Sequence, residues 1–295
     1  QYLNISTNAN EQSGKSSASL FGLDSQYFKV LIDNIPVVSD TGLGTNIDLT
    51  QINLDNVERI EIIEGSMGVT HGANAVSGIL NIITKKSSKY NWELSASAQE
   101  ETLGNEFSFF EKGRHIQSLK ASHNLSENWY ASVGINRNDK RGFFDDRKGI
   151  NYSINDGSRG FRQLPKEQLT TNTTIGYKKN ETRIFYKFDY LNEAVTFYNP
   201  IVVPIANYPF PDTYFSRDKR FLTNRYFHHL NYYGKFFNDL IFNISVSHQK
   251  QQRDEELFDY HFIDKKEREN NRAIYHSKEV LYSTGTVTNI TKSKK

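Results

Sequence analysis

The chain has 295 residues, a formal net charge of +2, 37% hydrophobic residues and no cysteine. That length builds one large domain or two ordinary ones with real cores. Near-neutrality gives no electrostatic case for a nucleic-acid partner, and the missing cysteines exclude disulfide frameworks, Cys-zinc sites and thiol catalysis.

The chain opens on Gln1-Tyr2-Leu3-Asn4, with neither the basic nor the apolar region of a signal peptide. The first elements are short. Phe28–Ile32 reads as a strand ending in a turn at Asp33-Asn34, and residues 57–63 and 79–84 read as two more, all largely buried. Residues 48–55 predict a helical turn capped by Asp48 or Thr50. Residues 1–88 are thus expected to form a small α+β unit with a mixed sheet, incomplete at its start.

Residues 89–295 have another rhythm. No run reaches the roughly 18 apolar residues of a membrane helix, but half-apolar strands of a barrel escape that test. Eight strands are predicted, at 90–101, 113–125, 128–138, 167–177, 181–192, 224–236, 239–250 and 279–290. Alternation is clear where Leu240, Phe242, Ile244 and Val246 oppose Asn243, Ser245 and Ser247. It recurs where Ile184, Tyr186, Phe188 and Tyr190 oppose Arg183, Lys187 and Asp189. Alternation is poor at 224–236, where Tyr226, Leu230 and Tyr232 meet Phe227 and Tyr233. Tight polar turns alternate with long segments at 139–166, 193–223 and 251–278. Short turns at one end and long loops at the other fit an antiparallel transmembrane β-barrel, with Tyr130, Tyr177, Tyr190, Phe236 and Phe237 near strand ends as its aromatic girdles. A soluble β-sandwich would show the same alternation; its connections are normally about 4–6 residues. The last ten residues read as an interrupted strand, so the barrel is expected to be incomplete in this chain.

One stretch is more specific. From Phe28 the sequence runs FKVLIDNIPVVSDTGLGTNIDLTQINLDNVERIEIIEGSMGVTHGANAVSGILNIITKK. It resembles the plug domain of TonB-dependent outer-membrane receptors at Leu31, Ile32, Asp33 and Pro36. The match continues through Val57, Glu58, Arg59, Ile60, Glu61 and Gly65, then Gly72, Ala75, Gly78, Asn81, Ile82, Thr84 and Lys85. Asn34 stands where the family usually has Gly, Glu64 where many members have Arg, Ser66 where many have Pro, and His71 where Tyr is usual. Asn tolerates the left-handed backbone such a turn requires.

The resemblance implies the carboxyl-terminal half of a plug followed by the first part of the barrel. It implies active uptake of a scarce, bulky nutrient (an iron–siderophore, cobalamin, haem or a glycan) across the bacterial outer membrane, with TonB and outer-membrane lipid as partners. A small molecule or metal chelate would bind the plug's apical loop, here Val38, Ser39, Asp40, Thr41, Gly42, Leu43, Gly44 and Thr45. Asp33, Arg59, Glu61, Gly65, Gly72, Gly78 and Asn81 would carry the plug motif and its contacts with the wall. A second surface is the aromatic loop with Tyr198, Tyr208, Phe210 and Tyr214. A passive porin or adhesin and a soluble ligand-binding sandwich are the alternatives.

Catalytic parts are not found. The eight His residues show no HExxH or HxxxH pairing, and His228 and His229 fall on opposite faces of one strand. The GSMGVTHG run lacks the Gly-Lys-Ser/Thr ending of a phosphate loop. No cofactor, resident metal or enzymatic activity is expected.

Overall fold

The computed structural model describes residues 5–10, 15–20, 22–65, 75, 77–102, 108–109, 112–142, 164–199, 201–204, 214–235 and 240–289. The first strands are β1 (Ile5–Asn10), β2 (Lys15–Leu20) and β3 (Leu23–Asp24), an antiparallel three-stranded sheet that the sequence reading did not foresee. Next come β4 (Phe28–Ile32), β5 (Ile35–Pro36), β6 (Val38–Ser39), β7 (Gly42–Leu43), β8 (Val57–Glu64) and β9 (Gly78–Thr84). A four-stranded mixed sheet has the order β5-β4-β9-β8, with β4 parallel to β9 and the other pairs antiparallel.

The apolar runs account for this sheet. Every residue of β9 is buried, as are Phe28, Val30, Leu31 and Ile32 of β4. Val30, Ile35, Val37 and Leu80 meet in one core. The strand β8, expected to be buried, is not: Glu58, Arg59, Ile60 and Glu64 are exposed. It forms the edge of the sheet, and its charged residues stay hydrated while Ile62 packs on the core. Residues 48–55 contain a single 3₁₀ turn, Leu49–Gln51, whose cap Asp48 accepts a hydrogen bond from the Thr50 amide at 2.9 Å.

The wall follows as β10 (Trp92–Glu101), β11 (Arg114–Asn124), β12 (Trp129–Lys140), β13 (Lys166–Lys179), β14 (Thr182–Phe197), β15 (Val202–Pro204), β16 (Tyr214–Lys235), β17 (Leu240–His261) and β18 (Lys266–Asn289). All adjacent pairs are antiparallel, in chain order, with the three-residue β15 set beside β16. The eight expected strands are all present. The segments 193–223 and 251–278 are not plain loops, however: β16 and β17 have 22 residues each and β18 has 24. Strand pairing continues past the apolar band because backbone groups outside lipid still gain by bonding one another.

The wall has two unlike faces. Leu119, Val133, Ile175, Leu230, Val246 and Leu281, on six different strands, point outward and are exposed. So broad an apolar surface is disfavoured in water and fits contact with lipid. The opposite face, with Ser122, Ser132, Thr174, Ser247 and Gln249, is buried against the small first unit. The weak alternation of β16 has a cause here. Phe227 points inward to join the plug core, so an apolar residue occupies a lumen-facing position.

Candidate functional site

The small unit is seated in the wall by polar contacts between residues far apart in sequence. Gln51, the last residue of the 3₁₀ turn, donates from Nε2 to Glu193 Oε1 of β14 at 2.7 Å. Arg225 of β16 donates to the carbonyl of Gln51 at 3.1 Å and to its Oε1 at 3.3 Å. Glu193 also accepts from Gln168 at 2.7 Å and pairs with Lys166 at 3.1 Å. Burying this carboxylate is sustained by three direct partners, Gln168 and Lys166 of β13 and Gln51 of the plug. Sequence patterning did not single out any of these residues.

Asp33 is a second tie. Its left-handed backbone (φ 51°) turns the chain after β4. The carboxylate accepts from the Thr84 amide at 2.9 Å and the Thr84 hydroxyl at 2.6 Å, and pairs with Lys86 at 2.6 Å. Lys187 Nζ of the wall lies 3.7 Å away. Burial pushes this carboxyl up, but Lys187, Lys86 and the Thr84 bonds outweigh burial and hold it below its ordinary value. One side chain therefore joins the β4 turn, the end of β9 and wall strand β14.

The stretch 38–45 forms the hairpin β6–β7. Ser39 Oγ donates to the Thr45 carbonyl at 2.8 Å and to that of Gly42 at 3.2 Å, closing the loop internally. Gly42 and Gly44 have φ of 145° and 80°, which explains glycine at both. One side meets the wall: Val38 N donates to Gln249 Oε1 at 2.9 Å, and Gln251 Nε2 to Asp40 Oδ1 at 2.7 Å. Lys15 completes the partners of Asp40. Thr41 is exposed, and Gly42 and Leu43 are half-buried.

The other motif residues are spread out. Arg59 pairs with Glu58 at 3.0 Å and Glu61 at 2.8 Å on the exposed side of β8. Asn81 exchanges hydrogen bonds with Asn34 and donates to Glu61 at 3.0 Å. Gly65 has φ 95°; at Gly78, with φ 138°, a side chain would collide with the Ile63 carbonyl. Gly72, His71, Tyr208 and Phe210 lie outside the described residues. Tyr214 packs beside Val202, Tyr260 and Phe262 at the far end of the wall. His229 faces inward between Phe185 and Phe227, while His228 faces outward beside Tyr186 and His248. Among the described residues no three His, Asp or Glu side chains converge as metal ligands.

Between plug and wall lies a cavity of about 1170 Å³, lined in part by Asp33, Arg59, Lys86, Trp129, Phe185 and Tyr233. Turn residues 126–128 border it, so it lies at the short-turn end. The arrangement can hold a globular body in a lumen by contacts that are mostly polar.

Residues 2–79 match the TonB-dependent Receptor Plug Domain. The vitamin B12 transporter BtuB of Vibrio cholerae serotype O1 is 32% identical over 143 residues, covering 46% of this chain and 23% of that protein. The rhizobactin receptor of Rhizobium meliloti is 31% identical over 116 residues, covering 39% and 15%. The chain thus spans less than a quarter of the curated relatives it matches. In fold it is similar to the FrpB iron transporter of Neisseria meningitidis, with a TM-score of 0.56 at 12% identity over 97% of this chain and 45% of that one. The apolar outer face, the polar inner face and the seated mixed sheet agree with these likenesses: the chain carries a TonB-dependent receptor plug domain followed by a portion of its outer-membrane β-barrel.

Proposed function

We propose that the whole protein is an energised uptake receptor, with residues 1–88 as plug and 89–295 as the first part of the wall. It binds a scarce, bulky nutrient such as an iron–siderophore, cobalamin, haem or a glycan. TonB then draws on the plug to open a path. The stretch 38–45 is its ligand-facing loop, with Thr41 most accessible. Asp33, Arg59, Glu61, Gly65, Gly72, Gly78 and Asn81 shape the seat. The observation that carries this reading is the polar plug–wall contact: it seats the plug, yet each bond has a water substitute when the plug moves. The vitamin B12 transporter and the rhizobactin receptor among the relatives support a chelate or corrinoid cargo.

The test is uptake by cells expressing the full-length receptor as their sole route for the nutrient. Radiolabelled ferric chelates and cobalamin should accumulate only with TonB present and the proton-motive force intact. Accumulation that survives loss of TonB would mean a passive pore and sink the proposal.

A further inference from the structure

Three cations stand in one cross-strand row on the lumen side of the wall. Arg114 of β11 lies directly opposite Lys140 of β12, and Lys140 directly opposite Lys166 of β13. Direct partners share a face at about 5 Å between Cβ atoms, where like charges destabilise the sheet. The face is the inner one. Lys166 Nζ donates to Thr50 Oγ1 of the plug at 2.6 Å, and Asn136, in phase with Lys140 along β12, donates to Asp55 of the plug at 3.0 Å.

The two ends of the row are compensated. Arg114 pairs with Glu101 at 3.3 Å, and Lys166 with Glu193 at 3.1 Å. Lys140, half-buried in the middle, has no ion pair or hydrogen bond of its side chain among the described residues. The outward faces of the same strand ends follow another rule: Arg137 pairs with Asp139 at 2.6 Å and Arg141 with Glu167 at 3.1 Å. Among the described residues, charge matching at these strand ends therefore holds outside and fails inside at Lys140. That position is at the long-connection end, beside the plug turn at Thr50, where plug and wall meet.

A bound anion removes the mismatch. Oxygens carrying negative charge would accept charge-assisted hydrogen bonds from Lys140 and its flanking cations, and the uncompensated charge would steer them inward. We propose that Arg114, Lys140 and Lys166 form an anion subsite of the outer vestibule. On the uptake reading above, the cargo then presents carboxylate, phosphate or deprotonated hydroxyl oxygens.

The test uses purified full-length receptor in detergent, titrated calorimetrically with citrate and with inorganic pyrophosphate. Lys140→Met should weaken binding of both about tenfold, while Lys140→Arg and the strand-end variant Lys179→Met bind as the parent does. Added salt should weaken the parent's binding. Because it relieves repulsion, Lys140→Met should melt no lower than the parent, and citrate should raise its melting temperature less than the parent's. Equal binding by Lys140→Met and the parent, or no binding of either anion by the parent, would overturn the subsite. TonB-dependent uptake beside a failed titration removes only the subsite; lost uptake removes the transport reading and leaves the titration standing.

Discussion

The interior of the plug and its seat on the wall are both buried, but they are held by opposite chemistry. Inside the plug, Phe28, Val30, Ile35 and Val37 are almost wholly removed from water and touch mainly one another. At the seat, the buried groups are Gln51, Glu193, Arg225, Gln249, Gln251 and Lys187. Apolar packing has no alternative partner in water, so the interior resists opening. Hydrogen bonds and ion pairs exchange with water at a net cost of about 1 kcal/mol each. A pull on the plug therefore breaks the seat before the interior, and the plug can shift as a body.

The largest expected effect is on the interior. Phe28→Ala should destabilise the plug by about 4 kcal/mol, because a full ring is lost and a cavity remains. Denaturant unfolding of the full-length receptor, followed by a probe in the plug, would read it. A loss below about 1 kcal/mol would mean that the core is loose.

At the seat, Glu193→Leu should cost about 3 kcal/mol, since Lys166 loses its ion-pair partner and buried Arg225 a neighbouring negative charge. Adding Lys166→Met and Arg225→Met should recover most of it. Strict additivity of the three losses would contradict a seat made of mutually compensating charges.

On the lipid face, Ile244→Arg should cost about 2–3 kcal/mol in a bilayer, whereas Ser245→Ala on the inner face should cost less than 1 kcal/mol. Single cysteines at Ile244 and Val246 should react with a lipid-soluble probe, and those at Ser245 and Ser247 should not. The reverse pattern would turn the wall inside out.

Asp33→Asn should have a smaller effect at neutral pH than the core, seat and Ile244→Arg changes, about 1–2 kcal/mol from weakened bonds to Lys86 and Thr84. Its carboxyl is held below the ordinary 3.8 when folded. The native state therefore binds that proton less readily than the unfolded chain, and the carboxylate's stabilisation is complete well above that ordinary value. It fades as pH falls through the lowered folded value. Stability measured down the acid limb should drop less steeply in Asp33→Asn than in the parent.

Much of this was legible in the sequence, and the part that was not has a common cause. All eight long wall strands were located from the sequence, although 224–236 alternates poorly, and alternation predicted that Ile244 and Ser245 lie on opposite faces. The cap at Asp48 was readable because capping is local. Strand length was not, since Gln251, Gln252 and Arg253 are polar on both faces and carry no period. Neither was the seat: Gln51 lies 142 residues from Glu193, and Val38 lies 211 from Gln249. No local pattern marks such partners. Phe227 misled because a lumen-facing ring looks like a lipid-facing one until the plug is in place. The exposure of β8 was hidden by its isoleucines, although its four charged residues were the signal.

The long hairpins set how the receptor meets its surroundings. A strand of 24 residues such as β18 runs roughly 79 Å, or roughly 56 Å along the membrane normal at a 45° tilt, against an apolar band of roughly 25 Å. The hairpin of β17 and β18 closes in four residues, so the projecting part is ladder, not loose chain. On the proposed reading, the end that carries the long hairpins is thus a stiff parapet standing tens of ångströms clear of the apolar band.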